Sequence, residues 1–341
     1  MRRGLLLLGL ALALGLGPLL AESDTEPGWV QVTGKAAFRA RDSSGEATFR
    51  DRLWILGGWY QSFEDPPRDV WSSPDGATWK LEVKDAPFRH TDLPMTISFK
   101  DRLWFMGGWH GGRLKHASAS NEVWSSEDGT TWKQATAAAG WSPRIAAGAV
   151  VFKDRMWILG GVQKYYFGDD KDLKNDVWSS ADGITWKQET ARAPWAPRAY
   201  HAAVVHDGKL WVFGGGNYLP RYQGYNDVWS SPDGVNWTEV TAKAPWSPRI
   251  WFSAVAYRDH LWVLGGWYGP TMGSKNYNDV WISRDGKSWK EFRSKSIWSG
   301  RHEHSAYIHR DSIYVAAGMT PPLQNDVWRL QLPPDWGKAS R

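Results

Sequence analysis

The feature that most constrains this chain is an internal repeat of about fifty residues. Five times a short apolar run ends in two consecutive glycines, and in a sixth copy Ala317 replaces the first glycine. Each run has an aromatic residue at its second position, and these aromatics recur at intervals of 50 to 54 residues. A period of this length indicates a fold of stacked units, each too small to bury its apolar faces alone. The six runs lie at residues 53–58, 103–108, 156–161, 210–215, 261–266 and 313–318.

Three further signals recur in register with the glycines. An aromatic-x-x-Arg element precedes the run, as at 141–144, and an acid-Val-Trp triplet follows it, as at 176–178. Five copies end in a Ser-x-Asp-Gly-x-x-Trp turn, as at 180–186. Each repeat therefore predicts four short antiparallel strands: A after the arginine, B ending at Gly-Gly, C at the triplet and D at the last tryptophan. Sheets of this kind bury their aromatic faces by radial stacking, so the predicted fold class is all-β, a six-bladed β-propeller.

The sixth repeat ends near Leu332 without an Asp-Gly turn or a strand D. Trp29 precedes Arg41 by the same 12 residues that separate Trp132 from Arg144. Segment 29–33 is therefore predicted to be a strand D that completes blade six as its outermost strand. Such a closure joins the two ends of the chain in one sheet and removes the open edges that promote aggregation.

The sequence predicts a signal peptide at 1–21, a linker at 22–28, one propeller domain at 29–332 and a C-terminal tail at 333–341. Residues 1–21 combine two arginines, an apolar stretch and a small final residue, which is typical of a cleaved secretory signal. The alternative is an uncleaved anchor, although the apolar part is short and glycine-rich for a span. We expect export to the periplasm or the extracellular medium, with no membrane span in the mature chain.

Composition excludes several classes of function. The chain has no cysteine, which excludes disulfides, thiolate nucleophiles and cysteine metal sites. The formal net charge is +5, but lysine and arginine are interspersed with acids rather than grouped, so no nucleic-acid partner is expected.

The Gly-Gly of strand B, the aromatic of strand C and the tryptophan of strand D resemble the kelch repeat over most of residues 29–332. The turns containing Ser73, Asp75, Gly76 and Trp79, with their copies, also resemble a shortened Asp-box, which in bacterial sialidases and related propellers is a structural turn away from the active site. The kelch resemblance implies a galactose oxidase, a sialic-acid mutarotase (N-acetylneuraminate epimerase) or a protein-binding module. Galactose oxidase chemistry is excluded because its copper-radical site needs a cysteine. Fold alone does not choose among the rest.

The variable segments of the repeat all lie between strands B and C. These loops share one face with the D–A loops, and flat side chains on that face would stack on sugar rings or anchor a protein. The alternative is that about half of these aromatics only pack the loops down. The candidate ligand-binding aromatics are Trp59, Tyr60, Trp109, Tyr218 and Trp267.

An arginine recurs on the same face at the start of strand A. Clustered guanidinium groups at a channel mouth suit a carboxylate, such as that of a sialic or uronic acid. In blade two Thr91 takes this position and Arg89 lies two residues earlier. The alternative is structural, because an acid starts each strand C nearby and would form salt bridges from blade to blade. The candidate ligand-binding arginines are Arg41, Arg89, Arg144, Arg198, Arg249 and Arg301.

The positions that follow the arginine differ between blades, which makes them the best candidates for chemistry. Blade six reads His302-Glu303-His304, blade one begins with Asp42, and blade two has Asp92, whereas blades three and five are apolar here. The closure makes blades six, one and two neighbours. A carboxylate and a histidine beside arginines suit proton transfer on an acidic sugar, so Glu303 and His304 are the candidate catalytic residues and Asp42 a ligand-binding one.

Two histidines without a third ligand are weak grounds for a metal, so neither a metal nor another cofactor is expected. The resulting functional hypothesis is an exported binding module that recognises a glycan, with an acidic sugar as one option, or a protein through its arginine- and aromatic-rich face. One alternative is a sialic-acid-type mutarotase in which Glu303 or His304 acts as acid or base. A second alternative is a sialidase-like glycoside hydrolase. Whether the chain is an enzyme stays open at this point.

Overall fold

The structure is a computed structural model that describes residues 26–166, 169–269 and 274–337. Within these residues six four-stranded antiparallel sheets follow one another, and two short two-stranded hairpins and one 3-10 helix accompany them. The predicted six-bladed β-propeller is confirmed. The predicted signal peptide at 1–21 lies outside the described residues, as do residues 22–25 of the linker. No helix of the described chain is long and apolar enough to cross a membrane.

The blades are built in the predicted order, with strand A innermost and strand D at the rim. Blade one contains A Gly45–Phe49, B Arg52–Leu56, C Val70–Ser73 and D Lys80–Val83. Blade two contains A Met95–Phe99, B Arg102–Met106, C Val123–Ser126 and D Trp132–Thr136. Blade three contains A Gly148–Phe152, B Arg155–Val162, C Leu173–Ser180 and D Lys187–Thr190.

The second half of the ring repeats this pattern. Blade four contains A Ala202–His206, B Lys209–Phe213, C Val228–Ser231 and D Thr238–Thr241. Blade five contains A Ser253–Tyr257, B His260–Tyr268, C Lys275–Ser283 and D Lys290–Glu291. Blade six contains A Ser305–His309, B Ser312–Ala316, C Val327–Gln331 and, as strand D, Gly28–Thr33.

Short elements decorate the B–C loops. A hairpin in blade two pairs Trp109–His110 with Ser118–Ala119, and one in blade four pairs Gly216–Asn217 with Gln223–Gly224. The 3-10 helix Asp170–Asp172 lies in the loop of blade three.

The closure of the ring follows the prediction. Strand Gly28–Thr33 pairs antiparallel with strand C of blade six, so that Trp29 lies opposite Leu330 and Thr33 opposite Val327. Trp29 also makes the contact typical of a strand D tryptophan, an edge-to-face pair with Trp298 at 4.3 Å between ring centroids. Equivalent pairs occur in the other blades, for example Phe38 with Trp79 at 5.0 Å and Trp141 with Trp186 at 5.9 Å.

Turn chemistry accounts for the sharp corners between strands. The A–B hairpins turn on two residues with positive φ, such as Arg50 at 48° and Asp51 at 54°, which matches the twist of the flanking strands. In the C–D turns the Ser73 hydroxyl accepts a hydrogen bond from the Gly76 amide at 2.8 Å, and Asp75 accepts from two further amides. These Asp-box-like turns make local contacts, in agreement with a structural role.

Glycine in the C–D turn also allows neighbouring blades to approach. A Cβ atom built on Gly129 would lie 2.1 Å from the ring of Trp54, and one on Gly183 would lie 2.2 Å from Trp104. In five of the six blade-to-blade contacts the strand B aromatic thus packs on the turn of the next blade, which explains why both signals recur at one period. The apolar clusters between adjacent blades form the core.

The segment after the last strand packs on the domain as far as the structure describes it. The Trp336 ring lies 5.4 Å from that of Trp262, and Arg258 donates a hydrogen bond to the carbonyl of Pro333 at 2.6 Å. The packed domain therefore extends beyond the predicted boundary at 332. Residues 338–341 of the predicted tail lie outside the described chain.

Candidate functional site

A buried arginine–aspartate pair lies at the inner end of five blades. In blade four Arg198 donates to both oxygens of Asp227, at 2.7 and 2.8 Å. Its remaining donors reach the carbonyls of Gly214 and Ala196. The arginine is 0% exposed, so its charge and its hydrogen-bonding capacity are satisfied inside the blade. Four equivalent pairs are Arg41–Asp69, Arg144–Asp176, Arg249–Asp279 and Arg301–Asp326.

These contacts correct the prediction that the arginines form a receptor for a carboxylate ligand. Each guanidinium is buried and bidentate to an aspartate, so its charge is neutralised inside the blade and it is not exposed to a ligand. The alternative prediction of salt bridges is confirmed, but the predicted blade-to-blade arrangement is wrong. Each pair joins the start of strand A to the start of strand C in the same blade. The assignment as ligand-binding residues is therefore withdrawn for Arg41, Arg144, Arg198, Arg249 and Arg301. Arg89, in the blade that lacks the pair, is exposed.

Tyrosines cover three of these pairs. The ring of Tyr60 lies 5.0 Å from the Arg41 guanidinium and 4.0 Å from that of Arg39. Tyr225 covers Arg198 at 4.4 Å and Tyr277 covers Arg249 at 4.3 Å. The cation–π contact explains why a tyrosine suits this position, and it gives Tyr60 a structural role.

Directly inside the pairs, six backbone groups close a ring of hydrogen bonds around the channel. In each blade one backbone amide donates a hydrogen bond to a carbonyl of the preceding blade. The Ser43 amide donates to the carbonyl of Glu303 at 3.1 Å, and the Leu93 amide donates to the carbonyl of Ser43 at 2.9 Å. The ring closes where the Glu303 amide donates to the carbonyl of Trp251 at 2.9 Å. All six residues have φ between 51° and 57°, and none is glycine. Left-handed backbone at such residues is strained and concentrates at functional sites. The ring members are Ser43, Leu93, Ala146, Tyr200, Trp251 and Glu303.

The ring borders a small axial cavity of about 160 Å³ to which every blade contributes. Its lining is uneven, since blades two and three contribute only apolar residues, blades four and five contribute aromatic and polar residues, and blades six and one contribute acidic, histidine and hydroxyl groups. In each blade the residue two positions after the arginine, or after Thr91 in blade two, belongs to the hydrogen-bonded ring. The residue that follows it lines the wall of the cavity. The polar lining residues are Ser43, Ser44, Glu46, His201, Ser253, Glu303 and His304.

Three acidic residues from blades six, one and two meet at this mouth, as the closure predicted. Asp42 and Asp92 are each 2% exposed, and the Glu303 side chain is 5% exposed. Neither oxygen of Asp92 has a hydrogen-bond partner among the described residues, nor does Oε1 of Glu303. Burial and the negative charge of Asp42 raise the pKa of Asp92, and burial and both neighbours raise the pKa of Glu303. The carboxyl cluster therefore retains protons at a pH where surface carboxylates are ionised.

The histidine beside this cluster is His302, whereas the prediction named His304. His302 Nε2 lies 3.9 Å from Glu303 Oε2, and its ring stacks on Trp251 at 5.1 Å. His304 instead borders the cavity and lies beside Trp298, with both ring nitrogens buried and unpartnered among the described residues. The register of the repeat could have identified His302, because it directly follows its arginine, just as Asp42 directly follows Arg41. The roles of Glu303 and His304 in catalysis stay predictions.

The carboxyl cluster and His302 form a group that could hold a metal, which the sequence did not predict. One ligand atom each from Asp42, His302 and Glu303 lie within 4.8 Å of one another. Asp42 and Glu303 thus supply ligands that the two histidines lacked in the sequence. Protons shared between the buried carboxyl groups explain the same arrangement without a metal. A second such group, Asp65 with His110 and His116, lies on the rim of blades one and two.

The predicted aromatic residues divide into two groups. Trp109 is 2% exposed and donates to the carbonyl of Gly112 at 2.8 Å, so it packs its own loop. Tyr218 and Trp267 are half-buried and pack around Trp251, at 4.6 and 5.2 Å between ring centroids. Trp59 is also half-buried. The packing alternative thus holds for Trp109, while Trp59, Tyr218 and Trp267 remain partly accessible on the loop face.

A second cavity, of about 310 Å³, opens between the B–C loops of blades three and four. Asn217, which is 3% exposed, donates to Asp170 Oδ1 at 3.1 Å and to the Arg221 carbonyl at 3.2 Å. Arg221 and Gln223 are exposed beside it. Sequence reasoning placed a site on these loops but did not select these polar residues. The lining consists of Asp170, Leu173, Pro197, Gly216, Asn217, Arg221, Gln223 and Tyr225.

Glu46 in the axial cavity gives a pH-dependent prediction. Its surroundings raise its pKa from 4.5 to about 8 by desolvation. Between these values the folded protein keeps a proton that the unfolded chain releases, so Glu46 lowers the free energy of unfolding as the pH rises through this window. Glu46→Gln should therefore be more stable than the wild type at pH 8 and equal to it at pH 4, measured by urea unfolding.

The matched control is Glu64→Gln, on an exposed loop, which should leave the pH profile unchanged. A Glu46→Gln protein that is less stable than the wild type at pH 8 would contradict the assignment of a protonated carboxyl in the axial cavity.

Comparison with known proteins agrees with this geometry. Residues 168–336 match the family model of the KLHDC2/KLHL20/DRC7 Kelch-repeats domain. The chain is 34% identical over 186 residues to the dynein alpha chain of the flagellar outer arm of Chlamydomonas reinhardtii, covering 49% of this chain and 4% of that protein. It is 30% identical over 132 residues to the kelch repeat protein M-T8 of Myxoma virus, covering 39% of this chain and 24% of that protein.

Solved structures show the same fold. The protein described as "Structure of YjhT" superposes with a TM-score of 0.68 at 16% identity, over 87% of this chain and 96% of that one. At this identity the likeness concerns the fold alone. The chain spans at most about a quarter of the curated relatives named above, so their activities as whole proteins do not transfer. The repeat, the closed ring and the match of residues 168–336 to a kelch-repeat family model together identify a kelch-type six-bladed β-propeller.

Proposed function

We propose that this kelch propeller is a binding module that recognises a glycan through its B–C loop face. The observation that carries the proposal is the 310 Å³ cavity between blades three and four. Asp170, Asn217, Arg221 and Gln223 converge on it, and Tyr225 forms part of its wall. A concave site with a few convergent polar groups on a rigid scaffold is the usual form of a small-ligand site.

The chemistry of the lining suits sugar hydroxyl groups. Carboxylate and amide oxygens accept hydrogen bonds, whereas the Arg221 guanidinium and the Gln223 amide nitrogen donate them, so vicinal hydroxyls find both kinds of partner. Arg221 forms no ion pair among the described residues, which leaves its charge available for an acidic sugar. The half-buried Tyr218 lies on the same loop and offers an apolar ring face.

The alternative partner of the module, a protein, receives less support from the surface. Protein interfaces depend on clustered aromatic and apolar anchors. The exposed large apolar side chains of the described chain are scattered, and among them only Phe63 lies on a B–C loop. The others are Leu81, Ile184, Val235 and Ile308.

Export is part of the proposal. The pattern of residues 1–21 favours secretion, and a glycan receptor would meet its ligands in the periplasm or outside the cell.

Glycan binding predicts a specific loss of affinity. A glycan array should identify ligands of the purified protein, and calorimetric titration of the best one should give a dissociation constant that rises at least about tenfold in Arg221→Ala, since a lost charge-assisted hydrogen bond is worth about 1.5–3 kcal/mol. The control Arg50→Ala, on the opposite face, should bind as the wild type does. A silent array, combined with recovery of a protein that Arg221→Ala no longer binds, would overturn the glycan and favour the protein partner.

A sialic-acid-type mutarotase is the second candidate, favoured by the protonated carboxyl cluster of Asp42, Asp92 and Glu303. Ring opening needs a group that donates a proton and one that accepts it, and carboxyls with raised pKa values act in both roles near neutral pH. The buried arginines weaken the case for a mutarotase, because they cannot hold the carboxylate of a sialic acid substrate. The Asp-box-like turns stabilise the C–D corners and pack on the neighbouring blade, so they lend no support to a sialidase-like hydrolase.

Mutarotase activity would be visible by NMR as accelerated exchange between the anomers of N-acetylneuraminate. If the carboxyl cluster acts as proposed, Glu303→Gln should lower the accelerated rate at least about a hundredfold, as expected for a lost general acid or base. The Glu64→Gln protein should retain the rate. Exchange no faster than in buffer, with correctly folded wild-type protein, would exclude this candidate.

A further inference from the structure

Asp65, His110 and His116 form a group at the outer edge of the B–C loops, which we call the rim cluster. Asp65 comes from the loop of blade one, and the two histidines come from the hairpin loop of blade two. The group lies apart from both cavities, because none of its members lines either of them. It therefore has no part in the glycan site or in the carboxyl cluster.

The distances within the rim cluster are close to those between the ligand atoms of a metal site. Asp65 Oδ1 lies 3.5 Å from His110 Nε2 and 3.1 Å from His116 Nε2. One ligand atom from each of the three residues lies within 4.8 Å of the others. Metal–ligand bonds of about 2.0–2.2 Å in tetrahedral geometry place neighbouring ligand atoms about 3.3–3.6 Å apart. A small ion would therefore contact all three with little movement of the chain.

Backbone contacts hold the histidines in place. His110 lies opposite Ser118 in the short hairpin, which positions the two sides of the loop. Gly111 has φ of 82°, and a Cβ atom there would lie 3.0 Å from the His116 ring, so this ring packs closely on the glycine. Preorganisation of this kind lowers the entropic cost of binding an ion.

The two loops are also fixed to each other. The Arg113 amide donates to the carbonyl of Ser62 at 2.7 Å, three residues before Asp65. The carboxylate and the imidazoles thus approach one another because the loops of adjacent blades are hydrogen-bonded, and an ion here would add a second link between them.

We propose that the rim cluster binds a divalent transition metal ion of the zinc type through Asp65 Oδ1, His110 Nε2 and His116 Nε2. Two imidazoles and one carboxylate suit such an ion, whereas calcium and magnesium prefer sites made of oxygen alone. The side chains of Asp65 and His116 are 56% and 57% exposed, so at least one coordination position remains open to water or to a ligand. This differs from the expectation of no metal, which considered only the histidines of blade six.

The test is titration of tag-free, chelator-treated full-length protein with zinc chloride in a calorimeter, together with cobalt chloride followed by visible absorption. We expect saturable binding of one ion and the ligand-field bands of four- or five-coordinate cobalt. His116→Gln and Asp65→Asn should each weaken binding at least about tenfold. His206→Gln, a histidine change on the opposite face, is the matched control and should bind as the wild type does.

Circular dichroism separates a lost site from a lost fold, and both substituted residues are surface residues whose replacement should leave the spectrum intact. Binding that His116→Gln and Asp65→Asn leave unchanged would overturn the proposal, as would no saturable binding of zinc to folded wild-type protein, or equal competition by magnesium. Failure of glycan binding would leave these results unaffected, since the two sites share no residue.

Discussion

The buried arginine–aspartate pair is the interaction on which the inner part of this propeller depends. One guanidinium connects the start of strand A, the Gly-Gly corner after strand B and the start of strand C, as Arg198 does through Ala196, Gly214 and Asp227. Removing one partner of such a pair leaves a buried charge uncompensated, at a cost of about 3–5 kcal/mol. Repetition of the pair in five blades explains why the arginine, the glycines and the acid recur together.

Blade two shows what the pair contributes by lacking it. Thr91 replaces the arginine, and its hydroxyl donates to the carbonyl of Pro67 in blade one at 2.7 Å. The acid of this blade, Glu122, accepts a hydrogen bond from Trp124 at 3.1 Å and forms no ion pair among the described residues. The exposed Arg89 and the metal-type rim cluster lie on the loops near this irregular blade. The blade that departs from the repeat thus lies beside charged and metal-type side chains that take no part in the repeated arginine–aspartate pairs.

Because the repeated arginines are occupied, chemistry at the channel mouth falls to the positions that follow them. The same strained backbone in every blade presents Glu303 in blade six but Tyr200 and Trp251 in blades four and five. One scaffold therefore carries an acidic sector with raised pKa values and an aromatic sector around a single cavity. The geometry is supplied by the hydrogen-bonded ring, and the character of each sector is supplied by side chains that the repeat does not constrain.

The sequence predicted the six blades, the closure by Trp29 and the meeting of Asp42, Asp92 and Glu303, because each follows from register within the repeat. It did not decide whether Arg198 faces a ligand or Asp227, since spacing shows that residues recur but not which atoms meet. The position of His302 was available from register and was overlooked. The rim cluster was out of reach, because Asp65 and His116 belong to unrepeated loops that meet only in three dimensions.

The central claim is that the repeated arginines hold the fold together rather than bind a ligand. A double-mutant cycle on Arg198→Met and Asp227→Asn, with the free energy of unfolding measured by urea denaturation, tests it most directly. We predict that each single substitution costs about 3–5 kcal/mol and that the two are coupled by at least about 2 kcal/mol. A coupling energy below about 0.5 kcal/mol, with Arg198→Met as stable as the wild type, would contradict the claim.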